Sequence, residues 1–227
     1  MPRARPGGLL RAGSTAGKQR TASARPPLVA GLDEAGRGPL AGPVFAAAVI
    51  LHPRRRIRGV GDSKLIDPAT RERLAISIRL RSIAWGLGMA DAEEVDALNV
   101  LGATWLAMRR ALLALPVAPS RVRVDGNRSP SLDGLDLGCH GEPEIGGDGR
   151  IVEIGAASIL AKTARDAWMK RAARAYPGYG FENHVGYGTP EHVAALDRLG
   201  PCRLHRRSFG PVRCPGLPLP PDPDRHR

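Results

Sequence analysis

Apolar residues along this chain fall in short unbroken runs at first and at helical spacing later. LVAGLDEA (28–35) and PVFAAAVIL (43–51) are apolar runs of strand length bounded by glycines and prolines, the pattern of buried strands. A helix is predicted from about Pro68 to Arg79, with Asp67 as its N-cap. AWGLGMA (84–90) reads as a third strand. DAEEVDALN and the stretch 100–115 read as two helices, the second with Leu101, Trp105, Met108 and Leu112 at helical spacing. RVRVDGN (121–127) alternates Arg outward and Val inward, which predicts a strand. Helices follow over 153–176 and 190–200. Strands first, then helix alternating with strand, predict an α/β layer fold with one mixed sheet.

Composition changes this picture little. With 227 residues and 42% hydrophobic content, the chain can bury one sizeable core. No stretch approaches the ~20 apolar residues of a membrane span. The net charge of +12 is unevenly spread, because residues 1–27 hold six basic side chains and no acid. That segment has no apolar core for secretion and reads as a disordered basic tail rather than an organelle transit segment. The Pro-rich segment 213–227 is expected to be loosely ordered as well, which leaves 28–212 as the folded domain. Basicity in that domain is modest and supports a polyanionic partner only weakly. Cys139, Cys202 and Cys214 form no CxxC pair and are odd in number, as expected of a reducing cytoplasm.

Chemistry concentrates in the acids. Asp33 lies near the end of the first strand, and Asp125 ends RVRVD just before a glycine. Sites in α/β sheets gather at the carboxyl ends of strands, so these two acids mark a candidate site. Glu34 should point to the other face from Asp33 unless the chain turns there, and Gly36 and Gly38 would permit such a turn. Carboxylates without His or Cys partners suit Mg²⁺ or Mn²⁺ and hardly suit zinc. Taken alone, Asp33-Glu34 also reads as a strand end facing water, and Asp125-Gly126 as a turn. His184 and His192 lack the spacing of a zinc site.

The string GLDEAGRGPLAGPV (31–44) resembles the opening motif of the prokaryotic ribonuclease HII family. GDSK (61–64), ALNVLGATWLAM (97–108), VDGN (124–127), GAASILAKTARD (155–166), YGFENHVGYGTPEH (179–192) and HRRSFGPV (205–212) follow in the family's order. The resemblance implies an RNase H-like fold with a mixed central sheet flanked by helices and a helical C-terminal part. It implies an endonuclease that hydrolyses the RNA strand of RNA–DNA hybrids and nicks 5′ to single ribonucleotides in duplex DNA, leaving 3′-OH and 5′-phosphate ends. Its cofactor would be Mg²⁺ or Mn²⁺, two ions when substrate is bound.

By motif, Asp33, Glu34, Asp125 and Asp148 are the metal-binding, catalytic carboxylates, with Asp166 as a rival to Asp148 that reads as structural. Gly36, Arg37 and Gly38 resemble the loop whose backbone contacts the ribose 2′-OH, the group that separates RNA from DNA. Tyr187 resembles the tyrosine that reads the junction between the ribonucleotide and the next deoxynucleotide. Ser63 and Lys64 fit a phosphate-contacting loop, and Ser158 and Lys162 are expected to face the nucleic acid, with a solvated helix face as the alternative. His205 and Arg206 read as structural, with reach to the substrate as the alternative. Leu65, Gly146 and Val185 stand where the family commonly has lysine, which removes cationic contacts. Ribonuclease HIII is the rival enzyme, but the segment before Leu28 is too short and polar for that family's folded N-terminal domain. A non-catalytic nucleic-acid-binding module is the rival from another class. The C-terminal PLPPDPDRHR lacks a sliding-clamp motif, and no amphipathic helix is left over to demand a dimer, so a monomer is expected.

Overall fold

A computed structural model describes residues 27–213. The expected tails and the absence of a sliding-clamp motif concern segments that lie, but for Pro27 and Arg213, outside the described residues. The chain forms strands β1 (Val29–Ala35) and β2 (Val44–Ile50), helix α1 (Pro68–Arg81), strand β3 (Ala84–Ala90) and helix α2 (Ala92–Leu113). Strands β4 (Arg121–Asp125) and β5 (Gly141–Glu144), then helices α3 (Gly147–Arg150), α4 (Val152–Ala175), α5 (Phe181–His184), α6 (Pro190–Leu199) and α7 (Gly210–Arg213), complete it.

The strands form one sheet in the order β3-β2-β1-β4-β5. β1 is antiparallel to β2 and parallel to β4, so the sheet is mixed as expected. β2 is buried along its whole length because both faces of the sheet are covered. Ala46, Ala48 and Ile50 pack toward α2, while Ala47 and Val49 pack toward α1 and α4. This is why its sequence shows no polar alternation. Gly86 and Gly88 let α2 lie close to β3, since a Cβ on Gly88 would fall 2.0 Å from the Ala107 carbonyl oxygen.

Local signals set the helix ends. Asp67 accepts the Thr70 N–H to start α1, and Asp91 with Glu94 forms a reciprocal capping box at the start of α2. α2 contains a break at Asn99, whose φ of 59° lies in the left-handed region. Its side chain accepts the N–H groups of Leu101 and Gly102 and so caps the second segment, matching the two helices expected there. β5 was not expected. Its sequence GEPE has no apolar alternation, and Pro143 is tolerated because β5 is an edge strand. Ion pairs from Arg121 to Glu142 (2.7 Å) and from Arg123 to Glu144 (3.8 Å) tie it to β4.

Candidate active site

The position of α4 depends on a missing side chain. A Cβ on Gly31 would lie 2.1 Å from the Glu153 carbonyl carbon, so only glycine lets the start of α4 rest on β1. Two residues along a strand and four along a helix both advance about 6–7 Å. Hence Ser158 comes level with Asp33, and its hydroxyl favours the charged form of that carboxylate. Ser63 lies 2.8 Å from Ser158, hydroxyl to hydroxyl.

Asp33 and Asp125 stand side by side at the carboxyl ends of parallel β1 and β4, one residue beyond the Leu32–Val124 pair. Asp148 enters from α3. Asp125 Oδ1 accepts the N–H groups of Gly147 (2.8 Å) and Asp148 (3.3 Å), which pins that short helix to the strand end. One oxygen from each of Asp33, Asp125 and Asp148 lies within 4.8 Å of the other two. Burial, then the charges of Glu34 and Asp125, push the Asp33 carboxyl well above the usual carboxylate range. Asp148 is also raised, by burial and then by Asp125 and Asp62.

Glu34 lies outside this set of three. The expected turn does not occur at Glu34, because β1 stays paired with β2 through Ala35 and positive φ arises only at Gly36 (φ 94°). Glu34 instead sits 3.3 Å from Arg37 and, with Asp125, lines a cavity of about 290 Å³ walled by Leu101, Thr104, Trp105 and Met108. Asp166 is engaged elsewhere, with Lys162 at 3.0 Å and Arg71 at 3.9 Å, which is the structural role expected of it.

Ser63 and Ser158 are 3% and 4% exposed, with their hydroxyls facing each other and Ser158 beside Asp33, so the solvated helix face considered for Ser158 does not form. Lys162 is mostly covered; burial pulls its pKa down despite Asp166, and its ammonium lies 5.6 Å from the centre of the Tyr187 ring. Lys64 is exposed, and its charge is felt at Asp148. Arg71 donates to the Ser63 carbonyl (2.7 Å), so a continuous network runs from Ser158 through Ser63, Arg71 and Asp166 to Lys162 beside the Tyr187 ring.

Gly36, Arg37, Gly38 and Tyr187 form the rim beside the acids. A Cβ on Gly38 would lie 3.8 Å from Tyr187 Cε1, so loop and ring are neighbours. Buried histidines brace the Tyr187 backbone. His192 Nδ1 and the Tyr187 carbonyl are 2.8 Å apart, and His192 Nε2 meets His205 Nε2 at 3.1 Å. His205 and Arg206 are fully enclosed, as their structural reading implied. Sequence reasoning passed over Asp62, inside the GDSK string, and Arg165, inside TARD. Nothing in the second string marks the burial of Arg165, which the packing of α4 against the 36–43 loop creates.

The family model for ribonuclease HII matches residues 30–212. This chain belongs to the ribonuclease HII family. The ribonuclease HII of Bordetella pertussis is 51% identical over 193 residues, covering 85% of this chain and 94% of that protein. That of Dechloromonas aromatica is 55% identical over 185 residues, covering 82% and 92%. The crystal structure of ribonuclease H2 from Pyrococcus horikoshii OT3 superposes with a TM-score of 0.65 at 26% identity, covering 82% of this chain and 95% of that one. Bst-RNase HIII, in complex with Mn²⁺, shares the fold at a TM-score of 0.62 and 20% identity, covering 82% of this chain and 68% of that one. As a ribonuclease HII, the protein is a metal-dependent ribonuclease H, an endonuclease acting on RNA–DNA substrates. No helix among the described residues is long and apolar enough to cross a membrane.

Proposed function

We propose that the enzyme cuts the RNA strand of hybrids and also nicks 5′ to a single ribonucleotide in duplex DNA, with Mg²⁺ or Mn²⁺ held by Asp33, Asp125 and Asp148. The convergence of these three carboxylates within 4.8 Å carries the reading. The donor set fits a hard divalent ion: all ligands are carboxylates, and the buried Asp33 is strained by its acidic neighbours in the absence of a cation. Glu34 and Asp125 share the adjoining cavity and are the groups for a second ion when substrate is bound. A divalent ion held there supplies Lewis acidity, which lowers the pKa of a water and offsets charge on the departing 3′ oxygen.

The chain's own residues do the rest. Ser158 and the Glu34 N–H (2.7 Å from Asp33 Oδ1) keep Asp33 oriented, and Asp125 fixes α3 and with it Asp148. The backbone of Gly36, Arg37 and Gly38 meets the ribose 2′-OH, while Tyr187 stacks at the junction with the following deoxynucleotide. Lys64 faces the phosphate backbone. We place the enzyme in the cytoplasm as a monomer; the free Cys139 and Cys202 support the first part.

Incubating a duplex that contains one ribonucleotide with Mg²⁺ or Mn²⁺ tests the proposal. Chelator-sensitive nicking on the 5′ side of the ribonucleotide, with 3′-OH and 5′-phosphate ends, is expected. A 2′,3′-cyclic phosphate product, or cleavage that survives chelator, would contradict it.

A further inference from the structure

Arg206 is 0% exposed, yet among the described residues it has no carboxylate partner within 4 Å. Its guanidinium is directed at backbone carbonyls. Nη2 donates to the Gly36 oxygen (2.6 Å) and the Gly42 oxygen (2.8 Å), Nε donates to Gly42 (3.0 Å), and Nη1 donates to the Arg37 oxygen (2.8 Å). Arg165, equally enclosed, holds the far end of the same loop through the carbonyls of Ala41 (3.2 Å) and Pro43 (3.1 Å). Buried guanidinium groups normally meet carboxylates, because charge removed from water must be compensated locally. Burial, then the charge of Arg165, draw the Arg206 pKa down to about 9, which still leaves it protonated at neutral pH.

The consequence lies in the peptide planes. No peptide bond among the described residues is cis, so each N–H points opposite to the carbonyl of the residue before it. Because the Gly36 and Arg37 carbonyls both turn inward to one guanidinium, the N–H groups of Arg37 and Gly38 both turn outward. Neither donates to a backbone acceptor among the described residues. Successive N–H groups directed to one side form a concavity that binds an oxygen carrying negative or partial negative charge. Glu34 borders this concavity through its contact with Arg37, and the Tyr187 ring borders it beside Gly38. Lysine could not replace Arg206 here, because an ammonium lacks the planar fork that spans three carbonyls.

We infer that Arg206 is a positioning residue for ribose recognition: it holds the 36–38 loop so that the N–H groups of Arg37 and Gly38 cradle the 2′ oxygen of the ribonucleotide. The inference deepens the reading of that loop given above and rests on it. Arg206 touches no substrate; it acts through the loop, and its unpaired charge makes those two N–H groups stronger donors.

The test couples protein and substrate changes. kcat/KM is measured on a duplex with one ribonucleotide and on the same duplex with a 2′-fluoro nucleotide, since fluorine is a poor hydrogen-bond acceptor. The wild-type enzyme should lose about tenfold on the fluoro substrate, the worth of one to two hydrogen bonds. Arg206→Lys should lose activity on the ribonucleotide substrate, while its fluoro penalty shrinks to about twofold. A stability control, Leu112→Ala in the α2 core, should keep the full tenfold penalty. If Arg206→Lys retains that penalty, Arg206 is merely structural and the inference is overturned. If the wild type shows no penalty, the reading of the loop itself falls. Should Arg206→Lys fail to fold, Arg206→Gln, which keeps a planar donor for only part of the carbonyl set, takes its place: a penalty shrunk to about twofold supports the inference, and a retained tenfold penalty overturns it.

Discussion

Replacing Asp33 by Asn should make the metal-free protein more stable while removing its activity. Three carboxylate oxygens lie within 4.8 Å of one another, and two unit charges at that distance repel by about 3.5 kcal/mol at an effective dielectric constant near 20. Asp33 faces two such partners, so its charge costs the fold several times the thermal energy. Partial protonation and the water around half-buried Asp148 reduce the observable gain to about 1–2 kcal/mol, or roughly 5 °C in Tm for a chain of this size. Asparagine keeps the acceptor for the Glu34 N–H and adds N–H donors beside Asp125.

The sign with pH is set by the raised pKa of Asp33. A carboxyl whose folded pKa lies above its unfolded value of 3.8 favours folding at low pH, and that contribution is lost as pH rises through the folded pKa. The Tm difference between Asp33→Asn and wild type, measured with chelator, should therefore be small near pH 4 and grow toward pH 7.5. Adding Mg²⁺ should raise the wild-type Tm and leave the variant nearly unchanged. If Asp33→Asn melts below wild type in chelator at pH 7.5, the carboxylates do not strain one another and the reasoning fails.

Other perturbations probe the parts separately. Tyr187→Ala should reduce cleavage at single ribonucleotides more than cleavage of long hybrids; equal losses in parallel kcat/KM measurements would discredit a junction-reading role. Gly31→Ala should drive a methyl into the Glu153 backbone 2.1 Å away and cost about 1–3 kcal/mol or more, read as a fall of several degrees in Tm. His192 and His205, whose pKa values burial pulls from 6.5 down to about 4, contribute stability above 6.5 that is lost as pH falls toward 4. The Tm should drop across that window, and drop less in His205→Gln, when each is followed by thermal melts in chelator.

The sequence exposed most of the sheet because burial on both faces leaves unbroken apolar runs, as in β2 with Ala46, Ala47 and Ala48 between Phe45 and Val49. The break in α2 was legible because Asn99 both adopts positive φ and caps the second helical segment. β5 was not, since an edge strand held by Arg121 and Arg123 needs no apolar pattern of its own. Asp33, Asp125 and Asp148 were legible as a group through motif order and strand ends. The side of the sheet that Glu34 faces depended on where β1 stops pairing, and a glycine pair two residues later could not fix it. The burial of Ser158 was not legible, because nothing local reveals that Gly31 lets α4 rest on the strand. Arg206 illustrates the same limit, because its partners Gly36, Arg37 and Gly42 are remote in sequence and contribute only carbonyls.

Anomalous diffraction from crystals soaked in Mn²⁺ tests the metal centre most directly. The account predicts a peak within about 2.0–2.3 Å of oxygens from Asp33, Asp125 and Asp148, lost in Asp33→Asn. A fully active enzyme whose Mn²⁺ peak lies away from these three carboxylates, or that shows none at concentrations saturating activity, would contradict it.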